Sequence, residues 1–286
     1  MDRDGQHWRR GARRGGRPLR RRDQADPLER GSREHYDDAA YYDHAYARRA
    51  EDVAFYREAA RRCGSPVLEL GVGSGRVAIP TALDGAEVVG LDLNAAMLAR
   101  ARETARRRGV PRGRLSLRRG DMRRFRLGRT FPLITAPFNA LLHLYEPDEL
   151  ADCFRCVRDH LAPGGRFIFD VRLPSPAELA RDPDRAYVGR PIKHPTLGAR
   201  VRYTERFRYD PLKQVQHVTI RFEPQDGSPA HETLLTQRQI FPGELRALLT
   251  LGGLRLARRL GTFTGQPLGP DDAQQIVEAV ALEPAR

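Results

Sequence analysis

Hydrophobic and polar positions along the chain follow two different periods, and the change from one to the other outlines the predicted elements. Short apolar runs rich in Val, Leu and Ile are typical of buried strands, whereas apolar positions three or four residues apart favour amphipathic helices. The predicted strands are residues 66–70, 87–91, 114–117, 133–136 and 166–171. Helical spacing fills the segments between them, around 76–83, 95–108 and 146–161. This alternation predicts a parallel sheet with helices on both faces.

The alternation stops after Asp170, where three further strands are predicted at 200–208, 214–222 and 231–240, separated by turn residues. The α/β pattern then returns with a helix at 242–251 and strands at 254–260 and 275–282. We therefore expect an α/β fold with a doubly wound, mostly parallel seven-stranded sheet and an antiparallel β insertion after the fifth strand.

The segment before the first strand has two parts. Residues 1–34 are rich in Arg, Gly and Asp without apolar periodicity, which predicts a disordered basic arm. A lead-in helix is predicted over 48–62, with an apolar face formed by Val53, Tyr56, Ala60 and Cys63. The expected organisation is an arm at 1–34, a cofactor-binding core at 35–175, the insertion at 176–240 and a C-terminal part of the core at 241–286.

Charge alone gives an ambiguous indication of partners. The chain carries a net charge of +13, but its first 22 residues hold nine arginines and two aspartates, a net charge of +7, which leaves +6 for the rest. A solvated arm explains this distribution. RNA contact through the RGG-like residues 13–17 stays an alternative, so nucleic acid is a possible partner that is not favoured.

The cysteines and apolar runs exclude other classes of protein. Three cysteines are too few for a disulfide framework and favour a reducing, cytoplasmic location. Cys153 and Cys156 form a CxxC inside a helical pattern without a second pair, so we expect no metal site. The longest apolar run, 131–145, is interrupted by Pro137, Asn139 and His143, so no membrane span is expected.

The most informative motif is the stretch 67–77, VLELGVGSGRV, in which an apolar strand enters a glycine-rich turn and then a helix. Such glycines allow a sharp bend and a close approach of a nucleotide-like ligand to the helix N-terminus. A dinucleotide fingerprint needs glycine where Arg76 stands, and the GK[ST] ending of a P-loop is absent.

Carboxylates end the next two strands. Asp92 follows the first glycine by about 20 residues, the spacing at which an acid binds ribose hydroxyls. Its alternative role is the N-cap of the following helix, for which Asn94 is equally placed. Asp121 and Met122 follow the third strand.

These elements together resemble the class I, S-adenosylmethionine-dependent methyltransferase family over about residues 67–171. The family's first motif, an acid followed by xGxGxG, matches Glu69 to Gly75, and its turn before the fifth strand matches Leu161-Ala162-Pro163-Gly164-Gly165. The resemblance implies S-adenosylmethionine as cofactor, with the glycine turn holding its methionine moiety, Asp92 its ribose, and Asp121 with Met122 its adenine. The implied cofactor-binding residues are Glu69, Gly71, Gly73, Gly75, Asp92, Leu93, Met97, Asp121, Met122, Phe138 and Tyr42.

The segment after the fourth strand bears on the methyl acceptor. Enzymes that methylate base amines or glutamine amides carry [DN]PP[FY] there, but Ala136 occupies the position of the acid or amide. The segment is similar to the FSSxGHL stretch of bacterial aminosugar and small-amine N-methyltransferases, with Phe138 and His143 at matching places. An N-terminal group of tyrosines, Tyr36, Tyr41, Tyr42 and Tyr46, includes a stretch, Tyr42 to Tyr46, that is similar to their YDxxY lead-in. The resemblance implies that this group closes over the cofactor, and helix packing is the alternative.

His143 is the candidate catalytic residue, because imidazole titrates near neutral pH and can accept a proton from the acceptor. A hydrogen-bonded core histidine is the alternative, since in-line positioning can supply most of the rate. The expected function is methyl transfer to a small-molecule acceptor, an amine before a hydroxyl, by a monomer or homodimer. The alternatives are an RNA or protein methyltransferase recruited through the arm and a noncatalytic cofactor-binding regulator.

Overall fold

A seven-stranded sheet forms the centre of the computed structural model, which describes residues 26–282. Its strands are β1 (Val67–Leu70), β2 (Val88–Asp92), β3 (Leu115–Arg119), β4 (Phe131–Ala136), β5 (Leu161–Arg172), β11 (Leu254–Leu260) and β12 (Gln274–Ala281). They are ordered β11-β12-β5-β4-β1-β2-β3. The first five are parallel, whereas β12 pairs antiparallel with both β5 and β11. The predicted fold class is confirmed.

Helices cover both faces of this sheet, and two buried apolar clusters fill the spaces between the layers. The longer helices are α4 (Glu51–Cys63), α6 (Ala95–Arg107), α7 (Pro147–His160) and α9 (Pro242–Leu251), and the short ones are α5 (Ala78–Leu83) and α8 (Pro176–Leu179). A 3-10 helix, η1 (Ala140–His143), follows β4. The buried face of α4 is formed by Asp52, Tyr56, Ala59 and Ala60. It shares Tyr56 and Ala60 with the predicted apolar face, but Asp52 and Ala59 are buried in place of Val53 and Cys63.

The insertion forms a second, antiparallel sheet. It consists of β6 (Tyr187–Val188), β7 (Ile192–Lys193), β8 (Arg200–Asp210), β9 (Val215–Pro224) and β10 (His231–Arg238). The three long strands follow the order β10-β9-β8, and the two short strands both pair with β8. One face buries an apolar cluster that includes Val201, Phe207 and Phe222.

The prediction of a disordered arm over 1–34 is wrong for its last nine residues; residues 1–25 lie outside the described part of the chain. Three short helices precede α4: α1 (Pro27–Gly31), α2 (Glu34–Asp37) and α3 (Ala39–Tyr46). Asp26 caps α1 by accepting a hydrogen bond from the N–H of Leu28 at 3.1 Å. The carbonyl of Leu28 accepts hydrogen bonds from Tyr145 Oη (3.2 Å) and Thr236 Oγ1 (3.3 Å). These long-range contacts order a segment whose own composition does not.

Two negative findings concern residues 26–282. No helix there has the length and apolar character to cross a bilayer. Nor does this range bring three or more His, Cys, Asp or Glu side chains together as a metal site. The CxxC cysteines lie on α7, where Cys153 is buried and Cys156 Sγ donates to the carbonyl of Arg123 at 3.3 Å.

The docking of α1 on β10 gives a test of the N-terminal packing. Gly31 is buried, and a methyl group there would overlap the buried side chain of Thr236. We expect Gly31→Ala to lower the free energy of unfolding by roughly 1–3 kcal/mol, the usual cost of overpacking. Urea denaturation measures the change. The control is Gly243→Ala in α9, where an added Cβ meets no atom within 4 Å. Equal stability of the two variants would contradict the packing.

Candidate functional site

A cavity of about 620 Å³ opens at the carboxyl ends of β1, β2 and β4. Its size is typical of a small-molecule site, and the carboxyl edge of a parallel sheet is where such sites form. Ten of the twelve predicted site residues line it: Tyr42, Gly71, Gly73, Asp92, Leu93, Met97, Asp121, Met122, Phe138 and His143. The two that do not line it are Glu69 and Gly75.

The glycine turn after β1 forms the floor of the cavity. Gly71 and Gly73 have φ values of 67° and 53°, which side chains disfavour. The N–H of Gly73 donates to Asp92 Oδ2 at 2.7 Å. A Cβ on Gly71 would lie 2.8 Å from that of Ala140 at the start of η1. The turn is therefore pressed between β2 and η1, with its backbone facing the cavity.

Glu69 and Gly75 support this turn from behind. A Cβ on Gly75 would lie 2.7 Å from Ile79 Cδ1, so the position serves close packing of the following helix. Glu69 is 3% exposed. Burial raises the pKa of its carboxyl group to about 8, against the opposing attraction of Arg76. Near neutral pH the carboxyl group of Glu69 is therefore largely protonated.

Asp92 presents to the cavity a carboxylate that two backbone N–H groups hold in place. Its Oδ1 accepts from the N–H of Asn94 at 2.8 Å, while Oδ2 accepts from Gly73. Burial raises the pKa of Asp92 despite these hydrogen bonds. The N-cap of α6 is Asn94, whose side chain accepts from the N–H groups of Ala96 and Met97 at 2.9 and 3.1 Å. The alternative role of Asp92 as a helix cap is therefore wrong.

Asp121 lies next to Met122 on the cavity wall and forms an ion pair with Arg123. The guanidinium donates to the carboxylate through Nε at 3.0 Å and Nη2 at 2.7 Å, and Arg123 also pairs with Glu149. Burial acts to raise the pKa of Asp121, but the hydrogen bonds and charge of Arg123 outweigh it, so the net shift is downward. Asp121 is therefore ionised at neutral pH.

His143 and Tyr36 form a hydrogen-bonded pair that lines the same cavity. Tyr36, from α2, places its hydroxyl 2.7 Å from His143 Nε2 at the end of η1. Burial lowers the pKa of His143 to about 4 and raises that of Tyr36 well above its usual value. Both groups are therefore neutral near pH 7. A pKa this low makes His143 a weak proton acceptor.

The loop between β4 and η1 holds Phe138 in an unusual backbone conformation. Phe138 and Asn139 have φ values of 55° and 64°, in the left-handed region. The N–H of Phe138 donates to Asp170 Oδ1 at 2.8 Å, and the hydroxyl of Tyr56 donates to the same atom at 2.6 Å. Asp170 thus secures the loop from the end of β5.

Charged groups surround the ring of Phe138. The guanidinium carbons of Arg49 and Arg76 lie 4.6 and 5.0 Å from its centroid. Arg76 also donates to both carboxylate oxygens of Asp52, at 2.8 and 2.6 Å. Burial acts to raise the pKa of Asp52, but Arg76 outweighs it and the net shift is downward. A buried ion pair therefore lies directly behind this wall of the cavity.

Sequence analysis did not single out Tyr36, Asp52, Arg76 or Asp170 as site residues. Asp170 had a visible signal, because it lies near the end of a predicted parallel strand as Asp92 does. Asp52 lies one helical turn before Tyr56, so a carboxylate on a buried helix face was also visible. Tyr36 gave no signal beyond belonging to a group of tyrosines.

The wall beside the Tyr36–His143 pair comes from α1, α2 and the segment after η1. It includes Leu28, Ser32, Leu144 and Tyr145, together with the charged residues Asp26, Glu29, Arg33, Glu146 and Glu149. The hydroxyl of Tyr145 lies 2.7 Å from Thr236 Oγ1, which joins this wall to the second sheet. The cavity is therefore lined both by the glycine turn and by the N-terminal helices.

Comparison with known proteins agrees with this geometry. Residues 67–165 match a family model described as a methyltransferase domain. Over 120 residues the chain is 31% identical to dTDP-3-amino-3,4,6-trideoxy-alpha-D-glucopyranose N,N-dimethyltransferase of Streptomyces venezuelae. That match covers 42% of this chain and 48% of the relative, about half the length of the curated protein.

Solved structures extend the similarity to most of the chain. The CcbJ methyltransferase from Streptomyces caelestis is 26% identical with a TM-score of 0.73, and the match covers 91% of this chain and 100% of that one. CalS10 from Micromonospora echinaspora, described as an amino pentose methyltransferase with bound SAM, is 26% identical with a TM-score of 0.61. This second match covers 84% of this chain and 96% of CalS10.

The pKa of Glu69 predicts a pH-dependent stability cost. The ordinary pKa is 4.5 and the buried value is about 8, so between these pH values the folded chain holds one more proton at this site than the unfolded chain. The contribution of Glu69 to the free energy of unfolding therefore falls as pH rises from about 5 to 8. We therefore expect the free energy of unfolding of Glu69→Gln to increase by roughly 1–3 kcal/mol relative to that of wild type as pH rises over this interval.

Urea denaturation of the cofactor-free protein at pH 5, 6, 7 and 8 measures this difference. Glu58→Gln is the matched control, because Glu58 lies on α4 with a side chain that is 65% exposed. Parallel stability curves for wild type and Glu69→Gln would contradict the raised pKa.

Proposed function

We propose that the chain transfers a methyl group from S-adenosylmethionine to a nitrogen atom of a small-molecule amine, since residues 67–165 match a methyltransferase domain and the chain has the fold of known methyltransferases. The observation that carries this proposal is that the glycine turn, Asp92 and the Tyr36–His143 pair all line one cavity. The names of the amino-sugar dimethyltransferase and of CalS10 support an amine as acceptor.

The residues present fit S-adenosylmethionine. The half-buried glycines Gly71 and Gly73 line the cavity with backbone alone, and a Cβ on them would approach Ala140 and Met97 of the cavity wall, so their lack of side chains leaves room for the methionine moiety. Asp92 has oxygen lone pairs for the ribose hydroxyls beyond those that brace Gly73 and Asn94. Leu93, Met97 and Met122 offer apolar surface for the adenine ring. When bound, this cofactor supplies an electrophilic methyl group on a positively charged sulfur.

The Tyr36–His143 pair suits a neutral amine as the methyl acceptor. Neutral His143 can accept the hydroxyl proton of Tyr36 in a hydrogen bond, which leaves the lone pairs of the tyrosine oxygen free for an N–H group of the acceptor. Tyr42 and Phe138 line the cavity and help to exclude water from it. In this proposal Tyr36 contacts the acceptor, and His143 positions the hydroxyl group of Tyr36. In this arrangement most of the rate comes from alignment of the amine.

Two alternatives make different predictions. A methyltransferase acting on RNA or protein would need its acceptor to reach the Tyr36–His143 pair in the cavity. Such an enzyme would not methylate small amines. A noncatalytic regulator would bind the cofactor without turnover on any acceptor. An acceptor screen therefore separates both from the proposed function.

Cofactor binding is the first test. We expect calorimetry to show saturable binding of S-adenosylmethionine and S-adenosylhomocysteine, weakened about 10- to 100-fold in Asp92→Ala because charged hydrogen bonds to the ribose are lost. Asp159→Ala is the control, because Asp159 is a 59% exposed carboxylate at the end of α7 and does not line the cavity. Asp92→Asn, which keeps an acceptor oxygen, is expected to fall between them. A folded wild-type protein that binds neither compound would disprove the proposal.

The roles of His143 and Tyr36 are tested by steady-state kinetics with a methylated amine. Because the pKa of His143 is about 4, its titration should leave no inflection in kcat/KM between pH 6 and 8. We expect His143→Gln and Tyr36→Phe each to lower kcat/KM by about 10- to 100-fold without changing the shape of the pH profile. Tyr209→Phe, outside the cavity, is the control. A loss above about 10⁴-fold with a changed pH profile would instead identify His143 as a general base.

A further inference from the structure

The positive charge of the folded part of the chain is concentrated in one segment. Residues 100–129 contain thirteen arginines but only two acidic residues, Glu103 and Asp121, a net charge of +11. The chain as a whole carries +13. Outside this segment and the basic first 22 residues, acidic residues therefore exceed basic ones. The folded part is consequently polarised, with one strongly basic region.

The structure places most of this segment along one edge of the large sheet. Residues 100–119 run from the second half of α6 through the connection to β3, the outermost strand on that side, and residues 120–129 then connect β3 to β4 and contact α7. Arg102 Nη2 donates to the carbonyl of Leu117 at 3.2 Å, which joins the helix to the strand. Eleven of the thirteen arginines are exposed, and the eight that lie on α6, on its connection to β3 and on β3 form the α6–β3 basic edge: Arg102, Arg106, Arg107, Arg108, Arg112, Arg114, Arg118 and Arg119.

Few of these charges are neutralised within the molecule. In the described part of the chain, the ion pairs of this segment involve Arg100, Arg123, Arg124 and Arg129. The other nine arginines form none with residues 26–282. Like charges held this close repel one another, and a polyanion relieves that repulsion with release of its counterions.

The shape and composition of the edge indicate which kind of polyanion would bind to it. By standard geometry the part of α6 within the segment, residues 100–107, is about 12 Å long and β3 is about 17 Å long, so the basic surface is extended. Residues 100–119 contain no aromatic side chain for base stacking, and the one aromatic residue that follows, Phe125, is buried. None of the exposed large apolar side chains of residues 26–282 lies within 100–129, so the edge has nothing to insert into a lipid bilayer. These features fit regularly spaced phosphates on a stiff backbone.

We propose that the α6–β3 basic edge binds the phosphate backbone of double-stranded nucleic acid without sequence preference. The bound duplex is not the methyl acceptor. None of the eight arginines of the edge lines the cavity that holds Tyr36 and His143. The proposal therefore goes beyond the small-molecule activity and stands independently of it.

Fluorescence anisotropy with a labelled 20-base-pair duplex, as DNA and as RNA, tests the proposal on the full chain. The edge variant replaces Arg106, Arg107, Arg112, Arg114 and Arg118 by Gln. The matched control replaces five exposed arginines elsewhere: Arg200, Arg202, Arg206, Arg208 and Arg255. Both variants lose the same charge and keep the N-terminal residues, so their difference isolates the edge.

We expect wild type to bind both duplexes with an affinity that falls steeply between about 50 and 200 mM salt. The edge variant should bind at least about 10-fold more weakly, with the slope of log K against log salt reduced by roughly 3 to 5. The control should change the affinity less than about 3-fold. Melting temperature and S-adenosylmethionine binding verify that each variant is folded. A triple variant, Arg106→Gln, Arg107→Gln and Arg112→Gln, substitutes for an edge variant that does not fold.

Three results would overturn the proposal. The first is no duplex binding by wild type at 50 mM salt. The second is an equal loss of binding in the edge and control variants, which would assign the interaction to net charge alone. The third is tighter binding to phosphatidylserine vesicles or polyglutamate than to duplex at equal anion concentration. Loss of methyl transfer leaves duplex binding unaffected, so the two proposals fail separately.

Discussion

The carboxylate of Asp170 is the interaction on which the geometry of the cavity depends. One of its oxygens accepts hydrogen bonds from Tyr56 on α4 and from the backbone of Phe138 after β4. Left-handed residues such as Phe138 and Asn139 cost on the order of 1–3 kcal/mol each, and they persist only where the surroundings impose them. The carbonyl of Asp170 also accepts from the N–H of Asn139 at 3.1 Å. Through this loop Asp170 sets where η1 begins and therefore where His143 meets Tyr36.

Two other acids lie at the same edge of the sheet. Glu69 on β1 is buried and Asp92 at the end of β2 is half-buried, and burial raises the pKa of each. Parallel strands bring their carboxyl ends to one edge, so Asp92 lies near enough for its charge to raise the pKa of Glu69 as well. The nearby guanidinium of Arg76 compensates part of their charge. A site built this way is less stable than an apolar one, because it keeps partly desolvated carboxyl groups where a polar ligand is to bind.

Local sequence patterns predicted the parts of the fold that are held together locally. The glycine turn, the seven strands of the large sheet and the three long strands of the insertion were predicted because strand and helix periods are visible within a few residues. Ten cavity residues were predicted through the resemblance. The packing of α1 against β10 was not, because Gly31 and Thr236 are distant in sequence. For the same reason sequence analysis treated Arg76 only as a departure from a glycine fingerprint. Its ion pair with Asp52 on α4 was not predicted.

The junction of Leu28, Tyr145 and Thr236 also constrains how the molecule assembles. Its hydrogen bonds join residues 117, 91 and 208 positions apart in the chain. Loop-closure entropy opposes contacts of such high sequence separation more than contacts within one helix or hairpin. The N-terminal wall of the cavity therefore depends on contacts that are costly in chain entropy. Since it rests on short helices and few hydrogen bonds, its amide protons should exchange with solvent through openings that leave the large sheet intact.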